Sequence, residues 1–91
     1  MRLDKFLKVM MLIKRRTVAN EMADEGFVKL NGRIAKPSAK LKTGDILELD
    51  MWNCYKKIEI LELPERGSVS KQDSEKYIKV LDYKAKEVED F

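Results

Sequence analysis

The chain has 91 residues, enough for one small domain. It carries 19 Lys/Arg, 16 Asp/Glu, one cysteine and no histidine, for a formal net charge of +3. A single thiol excludes an intrachain disulfide, and without histidine it leaves too few ligands for a structural zinc site.

The charge is unevenly placed. Residues 1–42 hold eleven Lys/Arg against four acids, net +7, while residues 43–91 hold eight against twelve, net −4. A basic half suits a polyanionic partner, although charge alone fits an ordinary basic surface equally well. The longest apolar stretch, Val9–Ile13, is far short of the ~20 residues a helix needs to cross a bilayer and is too short for a secretory core. A basic amphipathic first helix is compatible with a membrane-surface anchor, but the folded pattern that follows favours a core helix. With the lone thiol, these features lead to the expectation of a cytoplasmic protein with no membrane partner.

Leu3, Phe6, Leu7 and Met10 recur at i, i+3, i+4 and i+7, which predicts an amphipathic helix. Arg2, Lys5 and Lys8 follow at three-residue steps on another face. Asp4 and Lys8 are expected to pair weakly, by about 0.2–0.5 kcal/mol. Lys14-Arg15-Arg16 interrupts the apolar pattern. Thr17 then reads as the N-cap of a second helix over Val18–Glu25, with Val18, Ala19, Met22 and Ala23 on its buried side. Gly26 suits the position after the helix, where positive φ is wanted. Asp24 and Glu25 oppose the helix dipole there and are read as solvated.

Phe27–Leu30, Asn31-Gly32 and Arg33–Ala35 predict a β-hairpin, because Asn-Gly tolerates positive φ at both turn positions. Lys36-Pro37-Ser38 breaks the pairing, and Lys42–Asp45 forms a second turn. Ile46–Met51 alternates as a strand, with Leu47, Leu49 and Met51 on one face. Tyr55–Leu63 is another strand, whose parity change between Ile60 and Leu61 suggests a bulge or a twist. Pro64–Ser74 reads as a loop, Tyr77–Leu81 as a strand or a helical turn, and Lys84–Phe91 as a charged, fraying tail. Trp52 is read as completing a small core.

Cations gather around the helix junction. Arg2, Lys5 and Lys8 come from the first helix. Arg15 and Arg16 precede the second, whose free N–H groups attract phosphate. Lys36, Lys40 and Lys42 follow the hairpin, and all can share one face if the helices pack antiparallel or crosswise. Arginine matters most here, since its planar fork grips two phosphate oxygens at once.

The ordered set Arg2-Leu3-Asp4-Lys5-Phe6-Leu7, Lys14-Arg15-Arg16-Thr17 with Ala19, Gly26, Val28-Lys29-Leu30-Asn31-Gly32, Lys36-Pro37-Ser38 and Gly44-Asp45 resembles the RNA-binding domain of the ribosomal-protein-S-four family. The resemblance spans Met1 to about Leu49. It implies an α+β, S4-like (αL-type) RNA-binding fold, with two short N-terminal helices packed on a small, mainly antiparallel sheet. We take residues 1–63 as this domain with its sheet extension, and 64–91 as a loop, a short terminal element and a charged tail. The resemblance further implies that Arg2, Lys5, Arg15, Arg16 and Lys36 contact the RNA backbone, with Lys8 and Lys40 in the same basic surface. Thr17 would cap its helix and touch phosphate, and Asp4 would orient an arginine.

Met-Arg-Leu-Asp-Lys-Phe-Leu-Lys at the start, with Leu-Ile-Lys-Arg-Arg-Thr later, is similar to the RqcP-like ribosome-associated quality-control branch of the family. That implies a factor binding large-subunit rRNA and peptidyl-tRNA on the obstructed 50S subunit. It would assist an RqcH-like factor that adds C-terminal alanine tails to the stalled chain. The alternatives are a heat-shock-type S-four protein acting on free large subunits, against which the acidic tail counts, and an RNA-binding accessory to an RNA-modifying enzyme. No histidine base and no glycine-rich cofactor loop are present. The expectation is therefore no enzyme, no catalytic residue, no cofactor and no metal, with a monomer as the default.

Overall fold

The computed structural model describes residues 1–65, 67 and 69–86. The elements in chain order are α1 (Leu3–Val9), α2 (Arg16–Asp24), β1 (Val28–Leu30), β2 (Arg33–Ile34), β3 (Ile46–Asp50), β4 (Cys54–Ile60), α3 (Ser74–Tyr77) and β5 (Ile78–Ala85). The strands form one five-stranded sheet in the order β2-β1-β3-β4-β5, with every neighbouring pair antiparallel.

One face of the sheet is apolar and carries the helices. Val28, Leu47, Leu49, Ile58 and Ile60 are fully buried there against Leu3, Phe6 and Leu7 of α1 and Ala19 of α2. Small residues at Ala19 and Ala23 let α2 lie close to its neighbours. Val18, expected on the buried side, is 41% exposed, because α2 turns Ala19, Ala23 and, in part, Met22 toward the core. The opposite face of the sheet is charged. Pairing sets Lys29, Glu48, Lys57 and Asp82 in one cross-strand row of alternating sign, and such opposite-charge neighbours each contribute about 0.2–1 kcal/mol.

Both main helices end in the same way. Met11 N–H donates to Lys8 C=O (3.0 Å) and Leu12 N–H to Leu7 C=O (3.0 Å). After α2, Gly26 N–H donates to Ala23 C=O (3.1 Å) and Phe27 N–H to Met22 C=O (3.0 Å). This double bond pattern closes a helix with a left-handed residue after the cap. Gly26 fills that place as expected (φ +89°), whereas α1 uses Met11 (φ 57°), which no glycine signals.

The hairpin turns on Asn31 (φ 51°) and Gly32 (φ 85°), as its sequence predicts. Asn31 also locks the hairpin to the next turn. Its Oδ1 accepts from Ile46 N–H (2.9 Å) and its Nδ2 donates to Asp45 Oδ1 (3.1 Å), while Asp45 Oδ2 accepts from Lys42 N–H (2.8 Å).

Three expectations are corrected in the second half. The pairing irregularity lies at Lys57/Ile58, opposite an extra residue in β5, and not at Ile60/Leu61. Beyond Ile60 the chain has left the strand, and Leu61 N–H and Glu62 N–H both donate to Tyr77 C=O (2.7 and 3.2 Å). Trp52 does not complete the core. It sits in the short β3–β4 connection, past the end of the sheet, and is 77% exposed. The open choice at Tyr77–Leu81 divides: Tyr77 ends α3 and Ile78 begins β5. Strand β5 runs on through Lys84 and Ala85, which pair with Tyr55 and Cys54 instead of fraying. The rest of the expected tail, residues 87–91, lies outside the described residues.

Candidate nucleic-acid interface

The start of α1 has no side-chain cap, so its first N–H groups need other acceptors. The segment after the hairpin supplies them. Leu3 N–H donates to Ala39 C=O (2.8 Å) and Asp4 N–H to Pro37 C=O (3.1 Å), while Leu41 N–H donates back to Met1 C=O (2.9 Å). Arg2 and Lys40 form an isolated antiparallel bridge within this contact. The backbone of the 37–41 segment is thereby held beside the entry to α1, which brings the Lys36 and Lys40 positions to the end where Arg2 lies.

Asp4 organises the other side of the same end. Its carboxylate is buried, with the residue 2% exposed. Arg2 grips it with both arms of the guanidinium, Nε to Oδ1 and Nη2 to Oδ2, each at 3.2 Å. Lys5 N–H donates to Oδ1 (2.8 Å) and Asn20 Nδ2 to Oδ2 (3.3 Å). Arg16 Nη2 pairs with Oδ1 at 3.5 Å. Burial pushes the Asp4 carboxyl up, but the Asn20 and Lys5 hydrogen bonds and the Arg16 and Arg2 charges outweigh it, so the group stays below its ordinary value of 3.8. The expected Asp4–Lys8 pair is absent from the ion pairs of the described residues, because this carboxylate is already filled by two arginines and an amide.

The two arginines keep much of their surface free. Each side chain is 49% exposed, against 3% for the Asp4 side chain. One carboxylate thus holds two guanidiniums, one from the N-cap of α1 and one from the first turn of α2, and leaves their outer edges open to solvent. An anion arriving there meets donors that are already oriented.

The other expected residues sit around this hub. Lys5 is exposed on α1, immediately after Asp4, and Lys36 and Lys40 are exposed on the adjoining loop. Lys8 is half-buried in the last turn of α1, where its charge suits the helix dipole. Arg15 is exposed at the N-cap of α2. No hydrogen bond or ion pair among the described residues ties Lys8 or Arg15 to the hub. Thr17 is not the cap it was expected to be. The cap position belongs to Arg15, whose backbone is extended (φ −122°, ψ 133°), and no side chain caps the helix. Thr17 lies one residue inside the first turn and, with Asp4, Arg16, Asn20 and Glu21, lines an open pocket of about 340 Å³.

Asn20 and Glu21 were not among the expected site residues. The available signal was spacing: Asn20 stands four residues after Arg16 and Glu21 four after Thr17, so each shares a helix row with a candidate. Nothing in the sequence alone tied Asn20 to Asp4, sixteen residues earlier.

Residues 1–47 match the S4 domain family. The chain is 47% identical over 74 residues to the RQC P-site tRNA stabilizing factor of Streptococcus pneumoniae, covering 81% of this chain and 82% of that one. It is 42% identical over 78 residues to the protein of the same name from Helicobacter pylori strain J99, covering 86% and 93%. Among solved structures, the trimeric structure of Vibrio cholerae Heat Shock Protein 15 superposes with a TM-score of 0.78 at 27% identity, over 88% of this chain and 80% of that one. The solution structure of the hypothetical protein HP1423 gives a TM-score of 0.75 at 39% identity, over 96% and 100%. The chain therefore belongs to the S4-domain family of RQC P-site tRNA stabilizing factors.

Proposed function

We propose that this chain binds the obstructed large ribosomal subunit in the bacterial cytoplasm. There it contacts rRNA and the P-site peptidyl-tRNA and assists C-terminal alanine tailing of the stalled chain by an RqcH-like factor. The carrying observation is the Asp4 hub, which fixes Arg2 and Arg16 side by side with their outer edges open. Lys5, Lys36 and Lys40 extend that cationic end, and Lys8, Arg15 and Thr17 border it along the two helices. The names of the relatives support the ribosomal setting. The role is one of holding and not of chemistry, because guanidinium and ammonium groups held this way position phosphates without reacting with them. No helix among the described residues is long and apolar enough to cross a membrane.

Gradient sedimentation of a lysate containing the tagged chain tests this reading. It expects comigration with large subunits that carry peptidyl-tRNA. Equal binding to empty large subunits favours the heat-shock-type role instead. Comigration with a larger modifying enzyme, or with no particle, overturns the ribosomal reading.

A further inference from the structure

The pocket between α1 and α2 holds an anomaly for a phosphate-binding surface: a carboxylate, Glu21, shares its lining with Arg16 and Thr17. Glu21 is exposed and makes no ion pair among the described residues. A free carboxylate repels an approaching polyanion. A carboxylate that holds no cation of the protein raises affinity by accepting a hydrogen bond from the ligand.

A second acceptor lines the same pocket. Asn20 directs its Nδ2 at Asp4 Oδ2 (3.3 Å). A buried carboxylate only accepts, so the amide nitrogen must face it, and this fixes which end of the Asn20 amide is oxygen. No donor reaches Asn20 Oδ1 among the hydrogen bonds of the described residues. The pocket thus presents a cation at Arg16 and, one helical turn along α2, two hydrogen-bond acceptors at Asn20 and Glu21. Four to five residues of helix rise about 6–7.5 Å, enough to separate a phosphate from the ribose beside it.

We propose that this pocket is a ribose subsite: a phosphate sits on Arg16 while the Glu21 carboxylate accepts the one proton of the neighbouring sugar's 2′-hydroxyl. The assignment rests on the RNA-binding reading given above and deepens it, since it turns an electrostatic surface into one that distinguishes RNA by its hydroxyl. The 2′-OH is the donor that separates RNA from DNA at a contact of this kind.

The test is a binding cycle with two probes: an RNA stem-loop, and the same stem-loop carrying 2′-fluoro riboses, which lack the hydroxyl donor. Each is titrated by fluorescence anisotropy against wild type and Glu21→Ala at one salt concentration. Wild type is expected to bind the unmodified probe about tenfold more tightly, the scale of one hydrogen bond to a charged group. Glu21→Ala is expected to lose about that factor on the unmodified probe and to show no further loss on the fluorinated one. Unchanged or tighter binding of unmodified RNA by Glu21→Ala overturns the subsite, because it leaves Glu21 merely repulsive. A fluorine penalty that survives in Glu21→Ala also overturns it, by assigning the hydroxyl contact elsewhere. Failure of the underlying reading looks different: wild type then binds neither probe in a salt-dependent way. Glu21 is exposed, so thermal melting of the variant should match wild type and separate a lost contact from a lost fold.

Discussion

Asp4 Oδ1 lies 3.5 Å from Arg16 Nη2, across the junction of α1 and α2. The same carboxylate is held by Arg2 and Asn20. One buried acid therefore joins the packing of the two helices to the aim of the two arginines.

Replacing Asp4 with alanine leaves the Asn20 amide and the Lys5 N–H without their acceptor. Asp4→Ala is expected to lower the unfolding free energy by about 1–3 kcal/mol, read from urea denaturation. It should also weaken RNA binding, since Arg2 and Arg16 lose their common anchor. Wild-type stability in this variant would show that the hub does not hold the helices together.

Acid should reveal the same group. The folded Asp4 carboxyl lies below its ordinary value of 3.8, so the native state takes up its proton less readily than the unfolded chain. Its contribution is complete above 3.8 and is lost as pH falls through the lower folded value. The difference in urea midpoint between wild type and Asp4→Asn should stay constant above about pH 5 and shrink as the pH drops below 3.8. A difference that grows on acidification contradicts the sign.

Salt dependence counts the phosphates. If Arg2, Lys5, Arg15, Arg16 and Lys36 each neutralise one, log affinity against log salt should slope by roughly −3 to −5, using ~0.7–0.9 per contact. Arg16→Ala should reduce the slope by about one contact and weaken ribosome binding. Its stability cost should stay at or below about 1 kcal/mol, because Arg16 is 49% exposed and Asp4 keeps Arg2, Lys5 N–H and Asn20. A flat salt response removes the phosphate contacts from the account.

On the charged face of the sheet, Tyr55 Oη donates to Glu48 Oε2 at 2.7 Å. That hydrogen bond, with burial and nearby acids, pushes the phenol from 10.0 up to about 12. The contribution of neutral Tyr55 is therefore present below 10.0 and is lost as pH rises through about 12. An alkaline absorbance titration should show a late phenol step that Tyr55→Phe removes. Glu48→Gln should move it back toward 10.0.

Two aromatic residues should respond in opposite ways. Trp52 is 77% exposed and Phe6 is fully buried. Trp52→Ala should change stability by no more than about 0.5 kcal/mol, whereas Phe6→Ala should cost about 3–5 kcal/mol. Comparable losses in thermal melts would place Trp52 in a core contact after all.

Elements whose signal is local were legible. The apolar row Leu3, Phe6, Leu7, Met10 lies on the buried side of α1, and Asn31-Gly32 turns the hairpin with both residues at positive φ. Local signals misled where a neighbour distant in the chain had the stronger claim. Asp4 looked like a partner for Lys8 by spacing, yet Arg16 and Asn20 take it. Thr17 looked like a cap, but the helix begins at Arg16, two residues before the expected Val18, with Arg15 in the cap position. Trp52 looked like core by its chemistry, and only the end of the sheet decided that it faces water.

The residues alone determined the family resemblance, the basic half, the two amphipathic helices and the hairpin, because periodicity and turn chemistry act over a few neighbours. Tertiary structure alone decided that Arg2, Arg16 and Asn20 converge on one buried carboxylate and that Glu21 lines the same pocket. Those contacts depend on how α1 crosses α2 and where the 37–41 segment returns. That geometry is set by burial of side chains far apart in the chain, which no short window of sequence contains.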